Sequence, residues 1–236
     1  MVNIDTVYQR VLALANKEQR GYITPQEFNL FANQVQMEIF EQYFYDLNQF
    51  SRVHDNYTEH ANMTRILEEK IGEIEIASGP SVVASWGYMG DPSNITLPKE
   101  VYRVSRVVAN GVRAERLNRN DWNDIRRLFY LAATPSRPIY NVRRGILRVN
   151  NGTSVSGSAI GIHYIPTPPT VQWGYIVINE KALYDPGTTV NFMLHVSEEV
   201  ELVYKILKLA GVALEKDQVM RAGQGMEMAK VSQEKQ

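Results

Sequence analysis

The sequence predicts an α+β protein: a helical bundle built from N- and C-terminal helices, with a small antiparallel β barrel or sandwich inserted between them. Three observations predict it. Apolar residues recur at i, i+3, i+4 and i+7 through the first 78 residues, and again after residue 197. Between those stretches, short runs of β-branched and aromatic residues alternate with clusters of Gly, Pro, Asn and Ser. Within that middle region Asn110-Gly111 separates two apolar runs, the strongest two-residue hairpin signal. The expected parts are residues 1–78 (helices), 79–195 (β-rich insert) and 196–236 (C-terminal helices and tail).

The elements follow in order. Ile4, Val7, Tyr8, Val11, Leu12 and Ala15 form one helical stripe, broken at Gly21. Thr24-Pro25-Gln26-Glu27 then supplies an N-cap, a proline at the first helical position and a capping-box glutamate. Phe28, Phe31, Ala32, Val35, Ile39, Tyr43 and Leu47 continue as a long stripe, widened by Phe40 and Phe44, so this helix is expected to bury more than one side. A third helix is predicted from about Thr58 to Ile76, with Met63, Ile66, Leu67, Ile71 and Ile74 inward and Gly79-Pro80 as its stop.

Strands are predicted at Val82–Trp86, Val101–Val108, Val112–Leu117, Ile139–Arg143, Ile146–Val149, Ala159–Ile165 and Tyr175–Ile178, with a short helix at Asp121–Leu131. Ser197 is placed as the cap of a last helix whose apolar face is Val200, Val203, Tyr204, Leu207 and Ala210, interrupted at Gly211. The polar segment from about Glu215 to Gln236 has only weak periodicity.

Composition bounds the class. The chain has 236 residues, 44% of them hydrophobic and 22% charged, which fits a folded protein and excludes wholesale disorder. It has no run of 18 apolar residues, so no membrane-spanning helix is expected. MVNIDTVYQR lacks the pattern of a secretory signal, and the absence of cysteine fits a reducing compartment. The net charge of −1 hides a pattern: residues 1–78 carry −6, residues 79–150 carry +7, and residues 151–236 carry −2. Such asymmetry points to a polyanion or to contact between oppositely charged faces.

The chemistry of turnover is not found. Residues 16–27 mimic a calcium loop, but Asn16 would be the first ligand and Arg20 would occupy the fifth position, where a cation repels Ca²⁺. His54, His60, His163 and His195 make no H-x₃-H or HExxH pair. His54 and His60, near Asp55 and Glu59, could form at most a weak divalent site and read better as solvated helix-end residues. No phosphate loop, dinucleotide fingerprint or nucleophile elbow occurs. No catalytic residue, cofactor or metal is therefore predicted, and the chain is not expected to be an enzyme. The arginines are the one notable set. Arg103, Arg106, Arg113 and Arg116 flank the predicted hairpin, and Arg126, Arg127, Arg137, Arg143, Arg144 and Arg148 follow. They suit bidentate pairing with carboxylates of a neighbouring subunit, contact with phosphates, or a solvated β face. Trp86, Tyr88, Tyr102 and Tyr140 are the aromatics that could stack on bases or fill the core.

The order of parts also carries a resemblance. RGYITPQEFNLFANQVQMEIFE precedes the β insert, which contains LPKEVYRVSRVVANGVR, TPSRPIYNVRRGILRVNN and IGIHYIPTPP, and FMLHVSEEVELVYKILKLAGV follows it. Over roughly residues 1–215 this resembles the head-to-tail adaptor, or ring, proteins of short-tailed bacteriophages, most of all those of crAss-like phages and more remotely tail tubular protein A. The resemblance implies a virion structural protein in the neck or tail, assembled in the host cytoplasm. It implies a connector ring of typically twelve copies between portal and tail, through which double-stranded DNA passes during ejection. The partners so implied are the chain itself, the portal, the next tail ring or tube protein, and DNA without sequence specificity. The arginine-rich β segment departs from the often acidic lumens of such rings, so Arg103, Arg106, Arg113, Arg116, Arg143 and Arg144 are candidates for either subunit or DNA contact. Met226, Met228 and Val231 in the tail are candidates for docking against the portal. A soluble nucleic-acid-binding module using the arginine-rich hairpin is the alternative function.

Overall fold

In a computed structural model the described residues are 1–16, 23–50, 58–89, 91–125, 128, 132–152, 159–213, 224–226 and 228. Helices α1 (Ile4–Asn16), α2 (Pro25–Phe50) and α3 (Thr58–Gly72) come first. They are followed by β1 (Ile76–Ser78), α4 (Pro80–Ser85), β2 (Tyr88–Met89), β3 (Asp91–Thr96), β4 (Val101–Ala109), β5 (Val112–Arg113), β6 (Glu115–Arg116) and α5 (Arg119–Ile125). Then come β7 (Ile139–Arg143), β8 (Ile146–Asn150), β9 (Ile160–Pro166), β10 (Tyr175–Ile178), β11 (Lys181–Tyr184), a 3-10 turn at Val196–Glu198 and α6 (Glu199–Ala213). The protein is α+β with antiparallel sheets. It divides into two compact units, residues 1–73 with 168–236, and residues 74–167.

The helical unit is built on the predicted stripes. Ile4, Val7, Tyr8, Val11 and Ala15 of α1 are buried, as are Phe28, Ala32, Val35, Ile39, Phe40 and Tyr43 of α2. The capping box forms: the Thr24 amide donates to Glu27 Oε2 at 2.9 Å, and the Glu27 amide donates to Thr24 Oγ1 at 3.3 Å. These bonds hold the Glu27 carboxyl below its ordinary pKa, the Thr24 backbone bond contributing most. The box therefore adds stability above the ordinary carboxylate range and loses it as pH falls through the lowered value. Thr24→Ala should cost about 1 kcal/mol and flatten that acid limb, as chemical denaturation at pH 7 and at pH 3 would read.

Helix α6 packs against both α1 and α2. Its inward residues are Leu202, Val203, Ile206, Leu207 and Ala210, so the face is rotated from the predicted one and Val200 is exposed. The helix runs through Gly211 to Ala213. Its start differs too. Ser197 does not cap; the His195 ring accepts from the Ser197 amide and caps the preceding 3-10 turn. Helix α3 ends at Gly72, because Ile76 is already paired in β1, and Ile66 is exposed instead of buried.

The boundary predicted at residue 195 falls at 167. The reason is a row of amides on α2. Asn33 Oδ1 accepts from the Val171 amide at 2.8 Å while its Nδ2 donates to the Val171 carbonyl at 2.9 Å. One turn earlier, Asn29 accepts from the Trp173 amide at 2.8 Å. One turn later, the buried Gln36 donates to the Pro169 carbonyl at 2.8 Å and accepts from the Met193 amide at 3.0 Å. The three amides thus satisfy alternate backbone positions of an extended segment as a neighbouring strand would, and fasten it to the helices.

The second unit holds two sheets, ordered β1-β9-β4-β5 and β2-β3-β8-β7-β6. Both feed one core that includes Ile95, Val104, Val107, Tyr140, Leu147, Val149, Ile160 and Ile162. All pairings within them are antiparallel except β6 with β7, which is parallel. Neither sheet closes into a barrel. Asn110 and Gly111 both take positive φ, 51° and 81°, as a tight β4–β5 turn requires. The strand predicted at Val82–Trp86 is helix α4, for Gly79-Pro80 starts a helix here: proline occupies the first turn, where its missing N–H costs nothing. Helix α5 covers Arg119–Ile125, and most of residues 126–131, including the predicted end at Leu131, lie outside the described residues.

Candidate functional site: an arginine-rich β face

The second unit carries 12 Lys and Arg against 6 Asp and Glu, a net charge of +6, which leaves −7 on the helical unit. The arginines of β4 are set by two bulges. Between Val101 and Arg103, and between Val104 and Arg106, the register with β9 shifts by one residue. Each bulge inserts one residue, so a spacing of three replaces the ordinary two. Val104 and Val107 thereby both reach the core, while Arg103 and Arg106 lie opposite Ile165 and His163, on the side away from the Tyr164–Ile162–Ile160 row. Arg113 on β5 pairs with Val108, and Arg116 lies on the edge strand β6 beside Tyr140.

Two groups emerge. Burial raises the pKa of Tyr140, and Arg116, Arg113 and Arg103 partly oppose this from around it. Around Arg143 lie Arg119, Arg144 and Arg148, and their charges, Arg119 foremost, lower the pKa of its guanidinium. Arg143 ends β7, and Arg144 occupies the β7–β8 turn with φ 52°. Register puts Arg143 and Arg148 on one face of the sheet, the face on which Trp122 of α5 packs near Ile139. Arg148 Nε is buried without a hydrogen-bond partner. Arg137 is matched by Glu115 at 3.1 Å, whereas among the described residues no carboxylate pairs with Arg119, Arg143, Arg144 or Arg148. Guanidiniums near one another with no paired carboxylate among the described residues are chemically suited to an anion with paired oxygens.

The structure thus joins Arg143 and Arg144 in one group and Arg103, Arg113 and Arg116 in another, with Arg106 beside Arg103 on β4. Sequence reading missed Arg119, which lies just before the predicted helix Asp121–Leu131; in the structure it opens α5, whose Trp122 shares a core cluster with Ile139 of β7. Arg126 and Arg127 lie outside the described residues. The aromatics divide: Tyr140 is core, Trp86 packs edge-on against Tyr164 at 5.6 Å, and Tyr88 and Tyr102 are exposed. Met226 and Met228 are exposed in the tail, and Val231 lies outside the described residues. His195 serves the cap described above, and His163 lies on β9. Among the described residues no three His, Asp or Glu side chains gather as a metal site, and no helix is long and apolar enough to cross a membrane. In comparison with known proteins, no family model and no curated protein matches the chain.

Proposed function

We propose that the chain is a structural subunit of a phage connector ring, mounted between portal and tail, through which packaged double-stranded DNA passes. Its mechanism is assembly and sealing, without turnover. The observation that carries the reading is the division of one chain into units of −7 and +6, the second bearing Arg119, Arg143, Arg144 and Arg148, with which no carboxylate pairs among the described residues. Copies set head to tail would bring each acidic helical unit against a basic β unit, and heterologous contacts of this kind repeat around an axis. The resemblance in the order of helices, β insert and helices supports the same reading. In it the helices of both chain ends form one bundle, the β insert is a small sandwich, and the exposed Met226 and Met228 dock on the portal. Electron microscopy of the protein mixed with portal rings tests this: a ring of this chain stacked on the portal is expected, and its absence at high concentration would overturn the proposal.

The cluster around Arg143 favours a second reading, a module that binds nucleic acid by its phosphates. In the ring reading the free chain binds duplex DNA weakly, and Arg143→Ala with Arg144→Ala should lower the slope of log K against log salt by about 2. Submicromolar binding by the isolated chain at about 0.2 M salt would instead favour the module.

A further inference from the structure

The β10–β11 hairpin is unlike the rest of the molecule. It forms a two-stranded sheet of its own, and its large apolar residues stand in water on both faces. Ile176, Val177, Ile178, Leu183 and Tyr184 are 54, 62, 52, 50 and 41% exposed. Scattered single apolar residues are ordinary on a surface, but here five lie together on one short ribbon. An isolated two-stranded ribbon is marginal in water, yet this one is held firmly at its base. Trp173 stacks on Tyr175 at 5.9 Å, meets Tyr184 at a tilt at 5.9 Å, leans on Tyr8 at 4.1 Å and donates to Asp5 at 2.9 Å. A Cβ at Gly174 would collide with Asp185 and Thr188, so the chain closes tightly there. A rigid, exposed, apolar ribbon is preorganised for contact.

Both strands of the ribbon have an open edge; β11 carries Lys181, whereas β10, Tyr-Ile-Val-Ile, has no charge, proline or bulge, the devices that ordinarily guard an open strand. The second unit has a matching edge. Strand β1 lies at the end of its sheet, paired only with β9. The sequence from Ile76 to Met89 contains no charged residue, and Ile76, Val82 and Tyr88 within it are exposed. Thus the acidic unit and the basic unit each have an uncharged strand open at its edge.

We propose that β10 of one copy pairs with β1 of the next, so that the hairpin is the contact by which each subunit grips its neighbour. This rests on the ring reading for the neighbour being a second copy, and it names the contact. The charge of the two units steers the encounter, and the paired edges with their flanking apolar residues give it register. Because a stable interface takes about 800 Å² from each partner, the hairpin supplies part of one side and the charged units the remainder. Pairing β10 with β1 joins different surfaces and leaves the pair with one free β1 edge and one free β10 edge, so the contact propagates.

The chain has no cysteine, which allows a direct test. Val177→Cys and Ala77→Cys variants are mixed and oxidised, and self-association is measured by sedimentation for the native chain and for Ile176→Lys with Ile178→Lys. The expected result is a mixed disulfide of the two cysteine variants, with little dimer of either alone, and at least tenfold weaker association of the lysine variant with an unchanged melting temperature. Association unaffected by the lysines, or no mixed disulfide, would overturn the contact, even if the chain still formed rings on the portal. A hairpin needed for binding portal but not for self-association would overturn the second copy as its occupant. Hairpin-dependent chains that never join a portal would instead sink the connector reading and leave this contact standing.

Discussion

Leu207→Asp should unfold the helical unit and leave the β unit folded. Leu207 is buried on α6, the helix that covers both α1 and α2. Truncation to alanine would cost about 2–5 kcal/mol, and aspartate adds the cost of a carboxylate with no partner, so a total above about 4 kcal/mol is expected. That is a large part of the stability of any domain. Among the described residues, the core cluster that joins the two sheets of the β unit includes none from α6. Amide exchange should therefore show protection lost from α1 and α2, far from the substitution in sequence, and kept in β4, β8 and β9. Continued protection of α1 would mean that the helices do not share one core.

Glu198→Ala should cost about 3 kcal/mol, since removing one partner of a buried ion pair strands the other. Glu198 is 2% exposed; its carboxylate meets the Lys70 ammonium at 2.6 Å and accepts from the Ser197 hydroxyl at 3.1 Å. Tyr43 lies against the pair: burial first, and the Glu198 charge next, push its phenol well above the usual range. The Lys70 ammonium stands 5.7 Å from the centre of that ring. Adding Lys70→Met should restore part of the loss, because no charge is then left without a partner. A denaturation midpoint moved by under about 1 kcal/mol in the single variant would show that the pair is solvated.

Local signals survived folding where the local cause was sufficient. Thr24 and Glu27 lie three residues apart, and nothing beyond that spacing is needed to make a capping box. Asn110-Gly111 and Ile139–Arg143 likewise carry their own instructions. The misreadings occurred where a distant partner decided. Gly79-Pro80 serves equally as a stop or a start, and the choice of a start was fixed by the pairing of Ile76–Ser78 with β9. The burial of Val104 with Val107, spaced by three, needs the β9 register, which no local window contains. Residues 168–195 resemble the β insert in composition, yet Asn29, Asn33 and Gln36 claim part of their backbone for α2, and amides on a helix look in sequence like a solvated face. The arginine set was legible as composition. Its division into two groups, and the place of Arg119 in one of them, came from the turn of β7 into β8 and the packing of α5.

The interrupted helical unit has a consequence for synthesis. Helix α2 ends at Phe50, and the helix that covers it, α6, begins at Glu199. A ribosome takes roughly seven to thirty seconds to make the intervening stretch of about 150 residues, at about 5–20 residues per second. Throughout that interval Phe28, Phe40 and Ile39 have no α6 to close over them, while residues 74–167, continuous in sequence, emerge complete and can fold first. Nascent chains on neighbouring ribosomes of one message therefore display unfinished apolar helices to one another, and the yield of correctly folded protein should fall as translation slows between residues 167 and 199.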